Sequence, residues 1–483
     1  MIEMRLADIA AVTGGRLHRA TGDERVTAVE FDSRAIAPGG LFLALPGERA
    51  DGHGFAAAAV AAGAVAVLAG RPVDAPAVIA PPAPRATGTY LDEADVDGSG
   101  AAVLAALARL AGHVVDRLPD LAVVGVTGSS GKTSTKDLLA ALLADLGPTV
   151  APPNSFNTEL GLPYTALRAD ARTRHLVLEF SARHTGHIAA MAQVIRPRIA
   201  VVLNVGSAHL AVFGSAAEVA AAKGELVEAL PADGVAVLNA DDPNVAAMAS
   251  RTTARVVTVG RAPTADVRAV DVVLDAGRPR FTLVSPAGSA RVELQLVGEH
   301  HIGNALAAAA VALELGATPA RVAAVLGATG PVSKWRMEIT ERADGVTVVN
   351  DAYNANPESM RAAVAAVTAL AGGRRVWAVL GPMRELGDAT AAAHTTLAAV
   401  AAAAGVAEFV ALDCPAYLPG AGAMRTRLVD GIDGAVALLD HELEPGDVVL
   451  IKAGRALGLE RLAARLLDGH ELVSAGPARG AGR

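Results

Sequence analysis

A chain of 483 residues is too long for one hydrophobic core, and at roughly 150 residues per domain it suggests about three domains. Its formal net charge of -8, with no lysine or arginine block, lacks the electrostatic footprint of a nucleic-acid or anionic-membrane partner. The 52% hydrophobic and 3% aromatic content points to an α/β protein packed with alanine, valine and leucine, and the single cysteine, Cys414, excludes an intrachain disulfide or cysteine-cluster metal site and fits a reducing compartment.

The opening MIEMRLADIAAVTGG has acidic residues and no apolar run of signal-peptide length, and every long Ala/Val/Leu stretch is broken by charge, histidine or glycine. No targeting or spanning segment is expected, and the cytoplasm is the default location. VTAVEF, LFLAL and AVAVL, within residues 26–68, alternate with turn glycines and one alanine-rich helix, a small α/β unit ending near residue 70. Prolines at 72, 76, 81, 82 and 84 exclude a regular helix or central strand there and read as a linker.

From about residue 100 a helix is expected, then the strand LAVVGVT, a glycine-rich turn, and a helix with the stripe Leu138, Leu139, Leu142, Leu143 and Leu146. HLVLEF and RIAVVLNV continue the pattern of a parallel sheet wound by crossover helices. Beyond Gly330-Pro331, VTVVND, RVWAVLG, AEFVAL and DVVLIK are strands spaced by helices, and AGPARGAGR is a frayed tail. The expected architecture is α/β in three domains: 1–85, a central parallel-sheet unit at 86–329, and a Rossmann-like unit at 330–483.

GVTGSSGKT, residues 125–133, lies directly after a buried strand and before a helix, so the backbone of Gly128, Ser129, Ser130, Gly131, Lys132, Thr133 and Ser134 can surround an anion. The strict phosphate-loop pattern needs glycine at 126, where valine stands; only the G-x-x-G-K-T core is present, and a plain strand-to-helix turn is the alternative. Lys132 would neutralise the β and γ phosphates and Thr133 would ligate magnesium. Glu179, ending HLVLEF, is either a Mg²⁺ ligand or a solvated strand-end glutamate. His209, in LNVGSAHL just past another strand end, is suggestive in the same way.

Lys223 falls inside the apolar stripe of a helix expected at 217–230, four residues after Val219 and three before Leu226. It is either a side chain snorkelling to water or a desolvated amine able to capture carbon dioxide as a carbamate. His300 and Asn304, spaced i, i+4, lie opposite the stripe Ile302, Leu306, Ala309 and Leu313, and fit either a plain surface or contact with an adenine or ribose.

TGSSGKTSTKD, NSFNTELGLP, NVGSAHL, AAAKGE, GEHHIGNALAA, WRME, DAYNANPESM and LGPMRELG occur in one order over residues 127–387. Together they resemble the Mur ligases, and DAYNANP is most similar to the family member that adds D-alanyl-D-alanine. The stretch FDSRAIAPGGLFLALPGERADGHGF is similar to that family's UDP-binding domain. The resemblance implies an N-terminal domain for UDP-N-acetylmuramoyl-tripeptide, a central P-loop-type ATPase, and a C-terminal domain that closes over the nucleotide and helps hold D-alanyl-D-alanine. It also implies ATP and Mg²⁺, with Lys132 on the phosphates, Glu179, His209 and Thr133 as metal ligands, and Lys223 as a carbamylated ligand. Asn304 and His300 match the nucleotide site, and Arg336 and Asp351 the C-terminal pair that reaches ATP. Ser33, Arg34 and Asn157 fall on stretches assigned to the muramoyl substrate. A monomer is expected.

The chain departs from the family pattern at His301, at EFSAR, at Pro382 and at KAGR, residues 452–455. The alternatives are the preceding ligase, which adds a diamino acid to the muramoyl-dipeptide, and a non-catalytic nucleotide-binding protein. No D-N-P-R-like string supports the first, and Lys132, Glu179, His209, Lys223, Asn304, Arg336 and Asp351 together speak against the second.

Overall fold

The computed structural model describes residues 1–473 except 48–49, 86–90, 92–93 and 207–209. His209 and the tail AGPARGAGR therefore lie outside the described residues. Among those described, three larger sheets follow one another along the chain.

The first sheet has strands β1 (Arg16–His18), β2 (Ala28–Glu30), β3 (Gly40–Leu43), β4 (Ala64–Ala69) and β5 (Ala77–Ile79) in the order β1-β5-β4-β3-β2. Strands β2 to β5 run parallel and β1 pairs antiparallel with β5. β5 corrects the sequence expectation, because an interior strand lies inside the proline-rich stretch. It is three residues long and fits between Pro76 and Pro81, so no proline N–H is missing from its ladder, and the Pro76 carbonyl accepts from Val67.

Helices α1 (Leu6–Thr13) and α2 (Ala56–Ala61) belong to this unit, and α3 (Ser99–Asp116) follows. α3 packs on α1 and β4, and on the short helices α4 (Gly161–Ala166) and α5 (His187–Val194) of the next unit. The core is therefore continuous from Met4 to Ala254. By length and composition alone α3 is apolar enough to cross a membrane, but it is packed as a core helix, with Val103, Leu107 and Leu110 fully buried against its neighbours.

The central sheet contains β6 (Ala122–Thr127), β7 (Thr149–Val150), β8 (His175–Glu179), β9 (Ile199–Val202), β10 (Val235–Asn239), β11 (Arg255–Gly260), β12 (Val267–Asp275), β13 (Arg278–Ser285) and β14 (Gly288–Glu293). Its order is β14-β13-β12-β11-β10-β9-β6-β8-β7, parallel from β7 to β12 and antiparallel over β12–β14. The inner strands are covered on both faces, which is why they read as unbroken apolar runs. Helix α6 (Ala216–Glu228) covers one face with Val219, Leu226 and Val227. The phosphate-loop helix, Lys132–Ala144, and α7 (His301–Glu314) cover the other.

The C-terminal sheet has β15 (Glu338–Arg342), β16 (Thr347–Asn350), β17 (Val376–Leu380), β18 (Glu408–Leu412), β19 (Arg425–Val429), β20 (Val448–Lys452) and β21 (Leu472–Val473). The order is β19-β18-β17-β20-β16-β15-β21, with parallel pairing from β19 to β16, and apolar clusters fill both faces. Buried Lys136 ties this unit to the centre: Nζ donates to Ser333 Oγ at 3.3 Å, while Ser333 N donates to Asp137 Oδ2 at 3.2 Å.

Candidate active site

Strand β6 sits where the connections diverge, with β8 on one side and β9 on the other, so the carboxyl ends of all three meet at one crevice. The turn after β6 holds Gly128–Gly131, and the following helix begins at Lys132. Val126, in the place of the expected glycine, is still inside the strand and fully buried, so the position needs no glycine. Gly131 does need to be glycine: its φ is 83°, and a Cβ there would lie 2.5 Å from Asn304 Oδ1.

Gly131 offers no capping side chain, which leaves the first-turn amides of the Lys132–Ala144 helix facing the crevice. The loop itself is braced from the end of β9. Ser130 N donates to Asn204 Oδ1 at 3.0 Å, and Gly206 N donates to Ser129 Oγ at 2.9 Å. Lys132 Nζ donates to Gly128 O at 2.6 Å, and burial holds its pKa below the ordinary lysine value against the attraction of Glu179.

Glu179 is fully buried, which decides against a solvated strand-end residue. Its Oε2 accepts from Thr133 Oγ1 at 3.4 Å and Asn157 Nδ2 at 3.3 Å, while buried Oε1 has no hydrogen-bond partner. Desolvation pushes the carboxyl above its usual range, and Lys132, Lys136 and Arg336 pull it back. Thr133 Oγ1 also lies 2.6 Å from Ser155 Oγ and accepts from Arg336 Nη2 at 3.2 Å. A buried, underbonded carboxylate beside a hydroxyl and three cations is a polar nest that a divalent cation and phosphate oxygens would complete.

Lys223 lies on the sheet-facing stripe of α6 and is 6% exposed, so it does not snorkel. Burial, with a contribution from Lys132, lowers its pKa to about 7. The helix carrying His300 and Asn304 differs from the sequence expectation. α7 is buried nearly all round, because it is sandwiched between the phosphate-loop helix and the sheet. Asn304 therefore points inward at Gly131 and its side-chain partner is His301, with Nδ2 and Nδ1 3.3 Å apart, while exposed His300 is the residue before the helix.

Arg336 enters from the linker into the C-terminal unit, between Trp335 and Met337, whose φ angles of 60° and 49° are unusual for large side chains. Its Nη2 also donates to Ser155 Oγ at 3.3 Å, and its guanidinium lies 4.2 Å from the Tyr353 ring centroid. Asp351 accepts from Met337 N at 3.1 Å and from Lys452 Nζ at 2.6 Å. Asn356 Nδ2 donates to Ser129 O at 3.5 Å.

One cleft of about 320 Å³ between the central and C-terminal units brings together Ser129–Ser134, Asn157, His300, Asn304, Arg336 and Asp351; Glu179 and Lys223 are not in its lining, and Glu179 meets it through Thr133 and Asn157. Ser33 and Arg34 are not in its lining. Arg34 is exposed and bound to Asp32, whose pKa it lowers to about 2. Their loop is nonetheless fixed to the central unit, since Tyr164 Oη donates to Glu30 Oε2 at 3.0 Å and Phe31, Phe156 and Tyr164 pack edge to face. Sequence reasoning passed over Ser155, Asn204, Tyr353 and Lys452. A lysine ending the apolar strand DVVLIK was the available signal for the last.

Three family models match the chain: "Mur ligase family, catalytic domain" over residues 25–114, "Mur ligase middle domain" over 126–312, and "Mur ligase, glutamate ligase domain" over 335–455. The chain is 53% identical to the UDP-N-acetylmuramoyl-tripeptide--D-alanyl-D-alanine ligase of Mycobacterium tuberculosis (strain ATCC 25618 / H37Rv), covering 97% of this chain and 98% of that one. MurF from Acinetobacter baumannii is similar in structure at TM-score 0.83 and 29% identity, covering 96% and 99% of the two chains. MurF ligase from Thermotoga maritima, solved in complex with ADP, matches at TM-score 0.73 and 28% identity over 91% and 96%.

Proposed function

Because the chain belongs to the Mur ligase family, we propose that it joins D-alanyl-D-alanine to the terminal carboxylate of UDP-N-acetylmuramoyl-tripeptide at the expense of ATP. The observation that carries this reading is the convergence of Lys132, Thr133, Glu179 and Arg336 on one crevice at the ends of β6 and β8. Cytoplasmic action as a monomer belongs to the same proposal.

A carboxylate is a poor electrophile, so the tripeptide carboxylate oxygen first takes the γ-phosphoryl group, forming an acyl phosphate and ADP. The dipeptide amine attacks the acyl carbon, loses its proton, and expels phosphate from the tetrahedral intermediate. Both steps crowd negative charge, and the protein's task is to position and neutralise it. Lys132 and Arg336 face the transferring phosphoryl group, and the amides of Gly131–Ser134 hold its neighbours. Asn304 and His300 border the nucleotide, while Asp351 keeps the Arg336 segment in place through the Met337 amide. Ser33, Arg34 and Asn157 are assigned to the muramoyl substrate.

Magnesium suits the residues present: Thr133, Glu179 with its unpartnered Oε1, and carbamylated Lys223 would hold it, with His209 as a further ligand. When bound it supplies positive charge to the phosphoryl oxygens. A neutral Lys223 amine adds to carbon dioxide and releases a proton, turning a cation into an anionic ligand, and a pKa near 7 leaves the free amine abundant. Contact of the C-terminal unit with Thr133 and Ser129 closes the cleft against water, which would hydrolyse the acyl phosphate.

The test is phosphate release with ATP, Mg²⁺ and UDP-muramoyl-tripeptide, with and without D-alanyl-D-alanine, beside the muramoyl-dipeptide with a diamino acid. Release that needs both tripeptide and D-alanyl-D-alanine is expected. Activity with the dipeptide pair alone would refute the assignment.

A further inference from the structure

An acceptor dipeptide carries one nucleophilic amine and one carboxylate, and the carboxylate must be kept away from the phosphoryl group while the amine is presented to it. A second, smaller cavity of about 180 Å³ adjoins the reaction cleft. It is lined by residues 354–356, 384–385 and 454–456, all in the C-terminal unit, and it shares Asn354 and Asn356 with the cleft. Two of its lining residues are arginines, Arg384 and Arg455, and neither has an acidic partner within ion-pair reach among the described residues. Most arginines here are paired, so two unpaired guanidiniums on one small cavity stand out.

We infer that this cavity seats the free carboxylate of the acceptor dipeptide, with Arg455 as its main cation and Arg384 at the rim. The inference rests on the ligase reading above. Arg455 is held by ring faces, 4.7 Å from the Trp335 centroid and 5.5 Å from that of Tyr353. Stacking occupies the face of the guanidinium and leaves its edge N–H donors for a carboxylate, the planar bidentate geometry that arginine favours. Tyr353 also stacks with Arg336, so one ring spaces the acceptor cation from the phosphoryl cation.

The loop bearing Arg384 is preset from below. Tyr417 Oη donates to Gly381 O at 2.8 Å, and Met383 N donates to His394 Nε2 at 2.8 Å, both in buried surroundings. Glu385, the one acid in the lining, has no ion pair with Arg384 or Arg455 among the described residues, and its backbone carbonyl accepts from Ala211 N at 3.1 Å, tying this loop to the central unit. A dipeptide anchored by its carboxylate at Arg455 can extend past Asn354 and Asn356 and place its amine in the cleft. The donor's own carboxylates are a rival source of the same charge, but every residue of this cavity belongs to the C-terminal unit.

The experiment compares D-alanyl-D-alanine with its C-terminal amide on the full-length enzyme. Wild type is expected to prefer the acid strongly. In Arg455→Ala the KM for the acid should rise about thirtyfold or more, and the acid-over-amide preference should collapse toward unity. The KM values for ATP and tripeptide should stay within about twofold. Arg455→Lys should recover part of the preference, and rim variant Arg384→Ala, which leaves the stacked site intact, should shift it less but in the same direction. An unchanged preference in both alanine variants, or a rise in the tripeptide KM in place of the dipeptide KM, overturns the inference. Wild type that shows no phosphate release dependent on D-alanyl-D-alanine refutes the ligase reading itself, before any variant is made.

Discussion

Lys452→Met removes the cation from a buried pair and leaves the anion in place. Lys452 is 1% exposed and Asp351 7%. The lysine donates to Asp351 Oδ2 at 2.6 Å and to Asn354 O at 2.8 Å. Without it, the Asp351 side chain keeps only the Met337 amide at 3.1 Å among the described residues. Stranding a buried carboxylate in this way costs about 3–5 kcal/mol. Adding Asp351→Asn removes the stranded charge, so the double variant should recover much of the loss, a coupling that separates the pair from two independent defects. Both tryptophans, Trp335 and Trp377, lie in the C-terminal unit, so their fluorescence during urea unfolding reads that unit directly. With a slope of about 1–3 kcal/mol per molar urea, the single variant should lower the midpoint by at least about 1 M. A midpoint within about 0.3 M of wild type, well short of that shift, or a double variant no better than the single, would refute the reasoning.

Lys132→Ala should cut ATP-dependent phosphate release by about a thousandfold or more, because the cation facing the phosphates is lost; near-normal turnover in a stopped assay would sink the scheme. Lys223→Ala should be inactive and partly restored by a small carboxylate or bicarbonate, and full activity without additive would rule out the carbamate. For wild type stripped of carbon dioxide, reactivation should need less bicarbonate as pH rises through about 7, where the amine loses its proton. The sign for stability agrees: a lysine whose folded pKa is depressed makes the fold more stable as pH rises from about 7 toward the unfolded lysine value, and Lys223→Met should flatten that slope in thermal melts across pH. Gly131→Ala should cost about 1–2 kcal/mol in backbone conformation alone and displace Asn304, weakening ADP binding by about tenfold or more in calorimetry; unchanged affinity would show that the loop can rearrange. Tyr164→Phe should cost about 1 kcal/mol in urea unfolding through the lost Glu30 bond, and no measurable change would mean that this contact carries nothing.

The sheets and the phosphate loop were legible because buried parallel strands leave unbroken apolar runs, and a strand, glycine turn and helix in sequence constrain the backbone strongly. Lys223 was legible as a charge inside an apolar stripe, although only its burial separates a desolvated amine from a snorkelling one. β5 was not, since three residues between prolines carry too little pattern to show that they sit inside a sheet. The antiparallel extension at residues 267–293 was also passed over: it alternates buried and half-solvated positions and has no long apolar run. Asn304 was legible as lying opposite the apolar stripe, but because α7 is covered on two sides that face is buried against the phosphate loop, which periodicity alone could not distinguish from open surface. Arg336, by contrast, depends on backbone angles at Trp335 and Met337 that no residue type there would suggest.

The bridging position of α3 has a bearing on how the molecule comes apart. Since one apolar cluster runs from Met4 to Ala254, the first two sheets share a cooperative unit, and removing the N-terminal residues would bare Val103, Leu107 and Leu110. The C-terminal sheet, with both of its faces filled from residues beyond 336 apart from Val297, forms a separate unit. The connector between them exposes Val332 and Lys334. Trypsin should therefore cut first at Lys334, leaving one fragment that holds two sheets and another that holds one, each with its interior intact.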